Sequence, residues 1–216
     1  MVLTLYGNAN STCTKRVANV LHYKQVPFEF VSIDFAKGEH KSPEFLKKQP
    51  FGQVPYVDDD GFIIYESRAI ARYIAEKYAG QGRELIPKDL KKKALFEQAA
   101  SVEGSNFDPY ASGIVYEKIF KGFHGQQTNE ETVKAHTEKL EAKLAVYDSI
   151  LANQKYLAGD ELTLADLFHL PYGALLPASG NNSIDKFPNV KRWWDDLTSQ
   201  PSWKAIAGGV SSVAAY

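Results

Sequence analysis

The chain has one cysteine and one methionine in 216 residues. A single cysteine permits no intrachain disulfide, so the cross-linked framework of a small secreted domain is excluded. With no Cys-x-x-Cys pair, a dithiol redox cycle within one chain is excluded too. The five histidines, at 22, 40, 124, 136 and 169, show no metal-ligand spacing. Neither sign of charge is in excess: 25 Lys and Arg face 26 Asp and Glu. That balance offers nothing to nucleic acid or to an anionic membrane. No apolar run approaches the roughly 18 residues of a membrane span, and the N-terminus does not read as a signal peptide. Apolar residues at 44% and charged residues at 24% suit a globular protein, and the length allows one large domain or two small ones. A cytoplasmic enzyme or binding protein is the expectation.

No internal repeat or low-complexity tract is present, but the pattern changes midway. Residues 1–80 alternate strand and helix signals. Val2–Tyr6 and Phe28–Phe35 read as strands and Thr14–Tyr23 as a helix. Ser42 and Pro43 read as N-cap and first residue of a short helix. Val54–Val57 and Phe62–Tyr65 read as strands joined by the four-residue loop 58–61, with an Asp-Gly turn signal. Glu66–Tyr78 reads as a helix stopped by the glycines at 80 and 82. From Lys91 onward the signals are almost all helical. Thr128 to Glu131 reads as a capping box ahead of a stripe of Val133, Leu140, Leu144, Tyr147 and Leu151. Thr163 and Asp166 form a second box, with Leu162 and Leu167 at the positions of a hydrophobic staple. The expected division is an α/β domain over 1–80, a linker over 81–90 and an all-helical domain over 91–216. The order β-α-β-α-β-β-α is the one a thioredoxin-like domain uses.

The stretch NANSTCTKRV, residues 8–17, sets Ser11, Thr12, Cys13 and Thr14 between the first strand and the first helix. By residue type alone, Ser11 is a plain N-cap or a donor to an anion; Cys13, two residues on and roughly 200° around the helix, is expected to point away from Ser11 as a small buried hydrophobe rather than a reactive thiol.

Three segments go further: Ser11-Thr12, KGEHKSPEFLKKQPFGQVP over 37–55, and YESRAI over 65–70 leading into RYI over 72–74. Together they closely resemble a glutathione transferase of the phi-type, serine-dependent branch. NFDP over 106–109 and TLAD over 163–166 extend the resemblance across nearly the whole chain. It implies a thioredoxin-like domain that binds glutathione, a helical domain, a homodimer, and an electrophile cleft between the two domains. Glutathione is then a co-substrate, hydrophobic electrophiles are the partners, and no metal is needed.

The resemblance makes Ser11 the stabiliser of the glutathione thiolate. A free thiol has a pKa near ~8.5. A hydrogen bond from a hydroxyl to an anion contributes about 1.5–3 kcal/mol, and a helix N-terminus adds roughly 0.3–2 kcal/mol. At ~1.4 kcal/mol per unit, the two together lower a thiol pKa by about one to three units. The same resemblance assigns His40 and Lys41 to the glycyl carboxylate of glutathione. It assigns Gln53, Val54 and Pro55 to the cysteinyl backbone, with a cis Val54–Pro55 bond, and Glu66 and Ser67 to the γ-glutamyl end. Read without it, His40 and Lys41 are a solvated loop, Pro55 a strand-start turn, and Glu66 or Ser67 a helix cap. Thr12, Phe35, Phe107, Tyr110, Ile114 and Ile119 are the expected electrophile site, although aromatics at helical spacing equally suit a core. Asp166 is assigned to folding through its cap. A Cys13-dependent thiol transferase and a non-catalytic ligand carrier are the alternatives.

Overall fold

The computed structural model describes residues 2–216. The chain forms two compact units, one running to Ile86 and taking in Gln200–Tyr216, the other Pro87–Ser199. In the first unit the order is β1 (Leu3–Gly7), α1 (Thr12–Tyr23), β2 (Phe28–Ser32), α2 (Pro43–Leu46), β3 (Tyr56–Asp59), β4 (Phe62–Tyr65) and α3 (Ser67–Lys77). The sheet order is β2-β1-β3-β4. Strands β1 and β2 are parallel, and β3 pairs antiparallel with both β1 and β4. This is the thioredoxin-like arrangement.

Alternation along β1 decides the layering. Leu3 and Leu5 are buried, as are Val17, Val20 and Leu21 of α1 and Ile70 and Ile74 of α3. Each such side chain contributes about 1.5–3 kcal/mol when fully removed from water. Tyr6, pointing the other way along the strand, packs against the cluster of Ile33, Phe45 and Tyr56. The Ser42 hydroxyl accepts from Phe45 N–H and Pro43 opens α2, as expected. The β3–β4 turn is tighter than the sequence reading. Asp58 and Asp59 lie in the strand, Asp59 opposite Phe62, which leaves Asp60 and Gly61 as a two-residue loop. Both have positive φ, 57° and 85°, which is the requirement of a type I′ hairpin turn. The Gly61 N–H is held by the Asp58 carboxylate.

The second unit contains α4 (Leu90–Val102), α5 (Asp108–Val115), α6 (Lys121–Phe123), α7 (Glu130–Leu151), α8 (Leu164–Leu167), α9 (Leu170–Gly173) and α10 (Pro188–Ser199). Leu140, Leu144, Tyr147 and Leu151 of α7 are buried, and so are Val190, Trp193 and Leu197 of α10. The cap of α7 corrects the expected box: Asn129, one residue later, accepts from Thr132 N–H, while Thr128 donates to the Glu117 carbonyl. Thr163 and Asp166 do form a capping box at α8, with Leu162 and Leu167 both buried.

Two boundaries also differ from expectation. Residues 81–86 belong to the first unit: Gln81 donates to the Gln25 carbonyl and Lys24 to that of Arg83. Residues 200–216, expected in the helical domain, return to the first unit through α11 (Pro201–Lys204). Phe28 and Val213 exchange two backbone hydrogen bonds of 2.9 Å, and the Ser212 hydroxyl takes the Phe30 N–H. The returning segment thereby covers the edge strand β2, whose backbone groups would otherwise be open to pairing. Among the described residues no helix is long and apolar enough to cross a membrane.

Candidate active site

Strand register gathers the predicted residues at one end of the sheet. Tyr6 pairs with Tyr56, and Tyr56 with Tyr65. The chain leaving β1, the chain entering β3 and the chain leaving β4 therefore share that end. Gly7 pairs with Ser32, so the chain leaving β2 emerges there as well. Those four connections carry Ser11, Val54–Pro55, Glu66–Ser67 and the Phe35–Lys41 loop.

Ser11 caps α1. Its backbone is extended (φ −63°, ψ 131°), and its hydroxyl oxygen accepts from Thr14 N–H at 3.4 Å. Accepting leaves the hydroxyl proton free to donate. The position lies at the positive end of a 12-residue helix. Capping and anion binding are thus compatible here.

The Val54–Pro55 bond is cis. Ahead of it the chain is held from Gln49, which is buried: its side chain accepts from Gln53 N–H at 3.2 Å. Lys41 binds the same loop, donating to the carbonyls of Gly52 at 2.8 Å and Phe51 at 3.3 Å. Two of its three ammonium protons are so used. Gly52 makes this possible. Its φ is +60°, and a Cβ there would come within 2.8 Å of Lys41 Nζ and 2.9 Å of the His40 carbonyl. The His40 ring stands edge-on to Phe35, centroids 4.8 Å apart. Its Nδ1 is buried without a hydrogen-bond partner among the described residues. Burial, assisted by the charge of Lys41, holds the imidazole below its usual pKa.

Glu66 precedes α3 with φ 72° and ψ 106°. For a residue with a Cβ this is a strained conformation, of a kind that clusters at functional sites. Its exposed carboxylate suits an ammonium, while the first-turn N–H groups of the 11-residue α3 suit a carboxylate. Ser67 begins that helix and is buried; its Oγ accepts from Arg16 Nη1 at 2.9 Å. One end of the sheet therefore presents a lysine cation beside an imidazole, an open backbone edge, a carboxylate, a helix N-terminus and a hydroxyl at a second helix N-terminus. A short peptide with two carboxylates, an amine and a thiol has the matching groups.

Residues 1–76 match the family described as "Glutathione S-transferase, N-terminal domain", and residues 110–201 match "Glutathione S-transferase, C-terminal domain". The chain belongs to the glutathione S-transferase family. It is 50% identical over 198 residues to Glutathione S-transferase PM239X14 of Arabidopsis thaliana, which covers 90% of each chain. The structure of glutathione transferase F7 from Populus trichocarpa superposes with a TM-score of 0.92 at 41% identity, covering 96% of this chain and 98% of that one. Maize glutathione S-transferase I, solved with an atrazine glutathione conjugate, gives 0.90 at 36% identity, covering 96% and 97%. The branch is phi-type, and the protein is an enzyme of that family.

Other residues of the transferase depart from the sequence reading. Cys13 is not a buried hydrophobe: it is half-buried, and its Sγ accepts from Arg16 Nη1 at 3.6 Å. Thr12 is buried at the start of α1, while Phe35 is 45% exposed. Phe107 and Ile114, expected to line a cleft, are 1% and 0% exposed. Phe107 packs on His169, 4.7 Å between centroids, so it serves the core of the helical unit and presents no face to a ligand. Tyr110 and Ile119 are half-buried. Sequence reasoning missed Arg16, Gln49 and Gly52. Only the glycine carried a signal, as the residue type that tolerates positive φ in a turn.

Proposed function

We propose that this transferase adds the thiolate of glutathione to hydrophobic electrophiles, with Ser11 donating its hydroxyl proton to the sulfur. The observation that carries this reading is the convergence of Ser11, Val54–Pro55, Glu66–Ser67 and His40–Lys41 at one end of the sheet. Glu66 meets the amine and Ser67 with the α3 amides the adjoining carboxylate. Gln53 assists at that end, the Val54 backbone pairs with the cysteinyl unit, and His40 and Lys41 hold the glycyl carboxylate. Thr12, Phe35, Tyr110 and Ile119 are our candidates for contacts with the electrophile. The same thiolate would reduce organic hydroperoxides. With chlorodinitrobenzene, the sulfur bonds to the ring carbon and chloride leaves. Turnover of that substrate, and of cumene hydroperoxide, tests the reading. Glutathione binding with turnover of neither would overturn it in favour of a ligand carrier. Activity that vanishes in Cys13→Ala and persists in Ser11→Ala would make Cys13 the reacting group.

The state of His40 supplies a test of the glycyl site. Burial keeps the free imidazole neutral at pH 7, whereas a ligand carboxylate beside it favours the cation. Binding therefore takes up a proton. Affinity for S-methylglutathione, which has no titrating thiol, rises as the pH falls toward the lowered pKa of the free imidazole. In His40→Gln the affinity is about three- to tenfold lower at pH 6 and the slope is gone. Calorimetry at several pH values reads both, and a slope retained in the variant would remove His40 from the site.

We further read the enzyme as a cytoplasmic homodimer. Its single cysteine suits a reducing compartment. Phe51, 64% exposed beside Tyr65, is our candidate for an aromatic anchor that a second copy covers. Sedimentation should give the dimer mass for wild type and the monomer mass for Phe51→Asp. A monomeric wild type would overturn this.

A further inference from the structure

Arg16 is a large buried cation at the foot of the candidate site. It sits on α1 with 1% of its surface exposed, yet its Nη1 spans two helix N-termini, donating to Ser67 Oγ at 2.9 Å and to Cys13 Sγ at 3.6 Å. A guanidinium has donors only. The Ser67 oxygen is therefore committed as an acceptor, and its hydroxyl proton has to be directed elsewhere. Among the described residues no other group hydrogen-bonds this hydroxyl. Ser67 is itself 5% exposed and opens the 11-residue α3, where unpaired N–H groups point the same way along the helix axis.

We propose that Arg16 is a positioning residue for glutathione: by occupying the Ser67 lone pair it fixes that hydroxyl as a donor to the α-carboxylate of the γ-glutamyl unit. Two physical effects act together. A serine hydroxyl at a helix end is otherwise a rotor with competing local acceptors, and Arg16 removes that freedom. A donor that is itself accepting from a cation is polarised and donates more strongly. The positive charge of the guanidinium adds attraction for the same carboxylate in a setting that screens it poorly. All of these effects fall on the α-carboxylate and none on the glycyl end. The proposal rests on the reading of Ser67 as part of the γ-glutamyl site. Cys13 is the second load on the same nitrogen and not part of this path.

The test compares two ligands on each variant by calorimetry: S-methylglutathione, and its analogue with γ-aminobutyrate in place of the γ-glutamyl residue, which lacks only the α-carboxylate. Arg16→Met keeps much of the side-chain volume and should bind S-methylglutathione about tenfold more weakly while leaving the analogue unchanged. In a Ser67→Ala background the same substitution should add little, because the hydroxyl it acts through is gone. Arg16→Lys restores a donor and a charge and should recover part of the loss, as a raised KM for glutathione with kcat preserved at saturation. It also serves if Arg16→Met does not fold. Cys13→Ala should bind both ligands as wild type does. Equal losses for the two ligands, or full additivity with Ser67→Ala, would show a packing role and overturn the proposal. Wild type binding both ligands equally would instead refute the γ-glutamyl reading beneath it.

Discussion

Ser11→Ala should lose about 10- to 100-fold of its conjugation rate at pH 6.5 while retaining most of its affinity for glutathione. The substitution removes one hydroxyl donor to a thiolate, about 1.5–3 kcal/mol, and leaves the amides at the α1 N-terminus in place. At ~1.4 kcal/mol per unit, the apparent thiol pKa moves up by about one to two units. Below that pKa the thiolate fraction falls tenfold for each unit, so the loss is large at pH 6.5 and shrinks toward alkaline pH. The cap is also lost, but the Thr14 N–H to Ser11 Oγ distance of 3.4 Å marks a long hydrogen bond, so the stability cost belongs at the low end of the ~0.5–2 kcal/mol range for caps. The pH–rate profile with chlorodinitrobenzene, beside direct titration of bound thiolate absorbance, separates the two effects. A profile that keeps its wild-type midpoint would exclude Ser11 as the thiolate stabiliser.

Asp166→Ala should destabilise the protein by about 3–5 kcal/mol, a large part of the ~5–15 kcal/mol that holds a typical native protein together. Read as a cap alone, Asp166 accounts for about 0.5–2 kcal/mol. The fold gives it more to do. The side chain is 0% exposed. One carboxylate oxygen accepts from Leu157 N–H and the Trp193 indole N–H, both at 3.0 Å. The other accepts from the N–H and the hydroxyl of Thr163 at 2.9 and 3.1 Å. Alanine would leave the buried Trp193 indole and the half-buried Leu157 N–H without their acceptor, together with the Thr163 donors, at about 1–3 kcal/mol for each group that water does not reach. Asp166→Asn keeps the shape but turns an NH₂ group toward a pair of donors, so it should fall between wild type and alanine. Urea unfolding followed by tryptophan fluorescence measures both variants, because Trp193 reports on the site itself. A midpoint for Asp166→Ala within error of wild type would rule this account out.

Much of the fold was legible in the residues. Strand-like apolar runs marked β1 and β4, Ser42-Pro43 marked the start of α2, and Thr163 with Asp166 marked α8. These signals are local, carried by neighbours within one turn or one strand. The misreadings arose where a distant partner decided the outcome. Thr128 has the chemistry of a cap, but Asn129 takes that role because the Thr128 hydroxyl is drawn to the Glu117 carbonyl. Asp58 and Asp59 look like loop residues, yet they extend β3. Asp59 is bound there by the Tyr73 hydroxyl and the Lys77 ammonium from α3. Phe107 and Ile114 show the limit of spacing arguments: helical periodicity identifies a buried face without saying whether protein or ligand covers it.

The sequence by itself determined the order of elements, the caps that start the short helices, and the motifs whose resemblance leads to the glutathione site proposed above. All of these depend on side-chain chemistry over a few positions. Only the tertiary structure decided that residues 200–216 return to cover β2, that Arg16 joins Cys13 to Ser67, and that Asp166 binds the Trp193 indole from α10. The deciding partners are far apart in sequence: 27 positions for Asp166 and Trp193, 51 for Arg16 and Ser67, and 194 for His22 and Tyr216, which ties the returning segment down. Contacts of that span have no local pattern to reveal them. They form because burial leaves each polar group needing a partner, and the packed fold determines which one lies within reach.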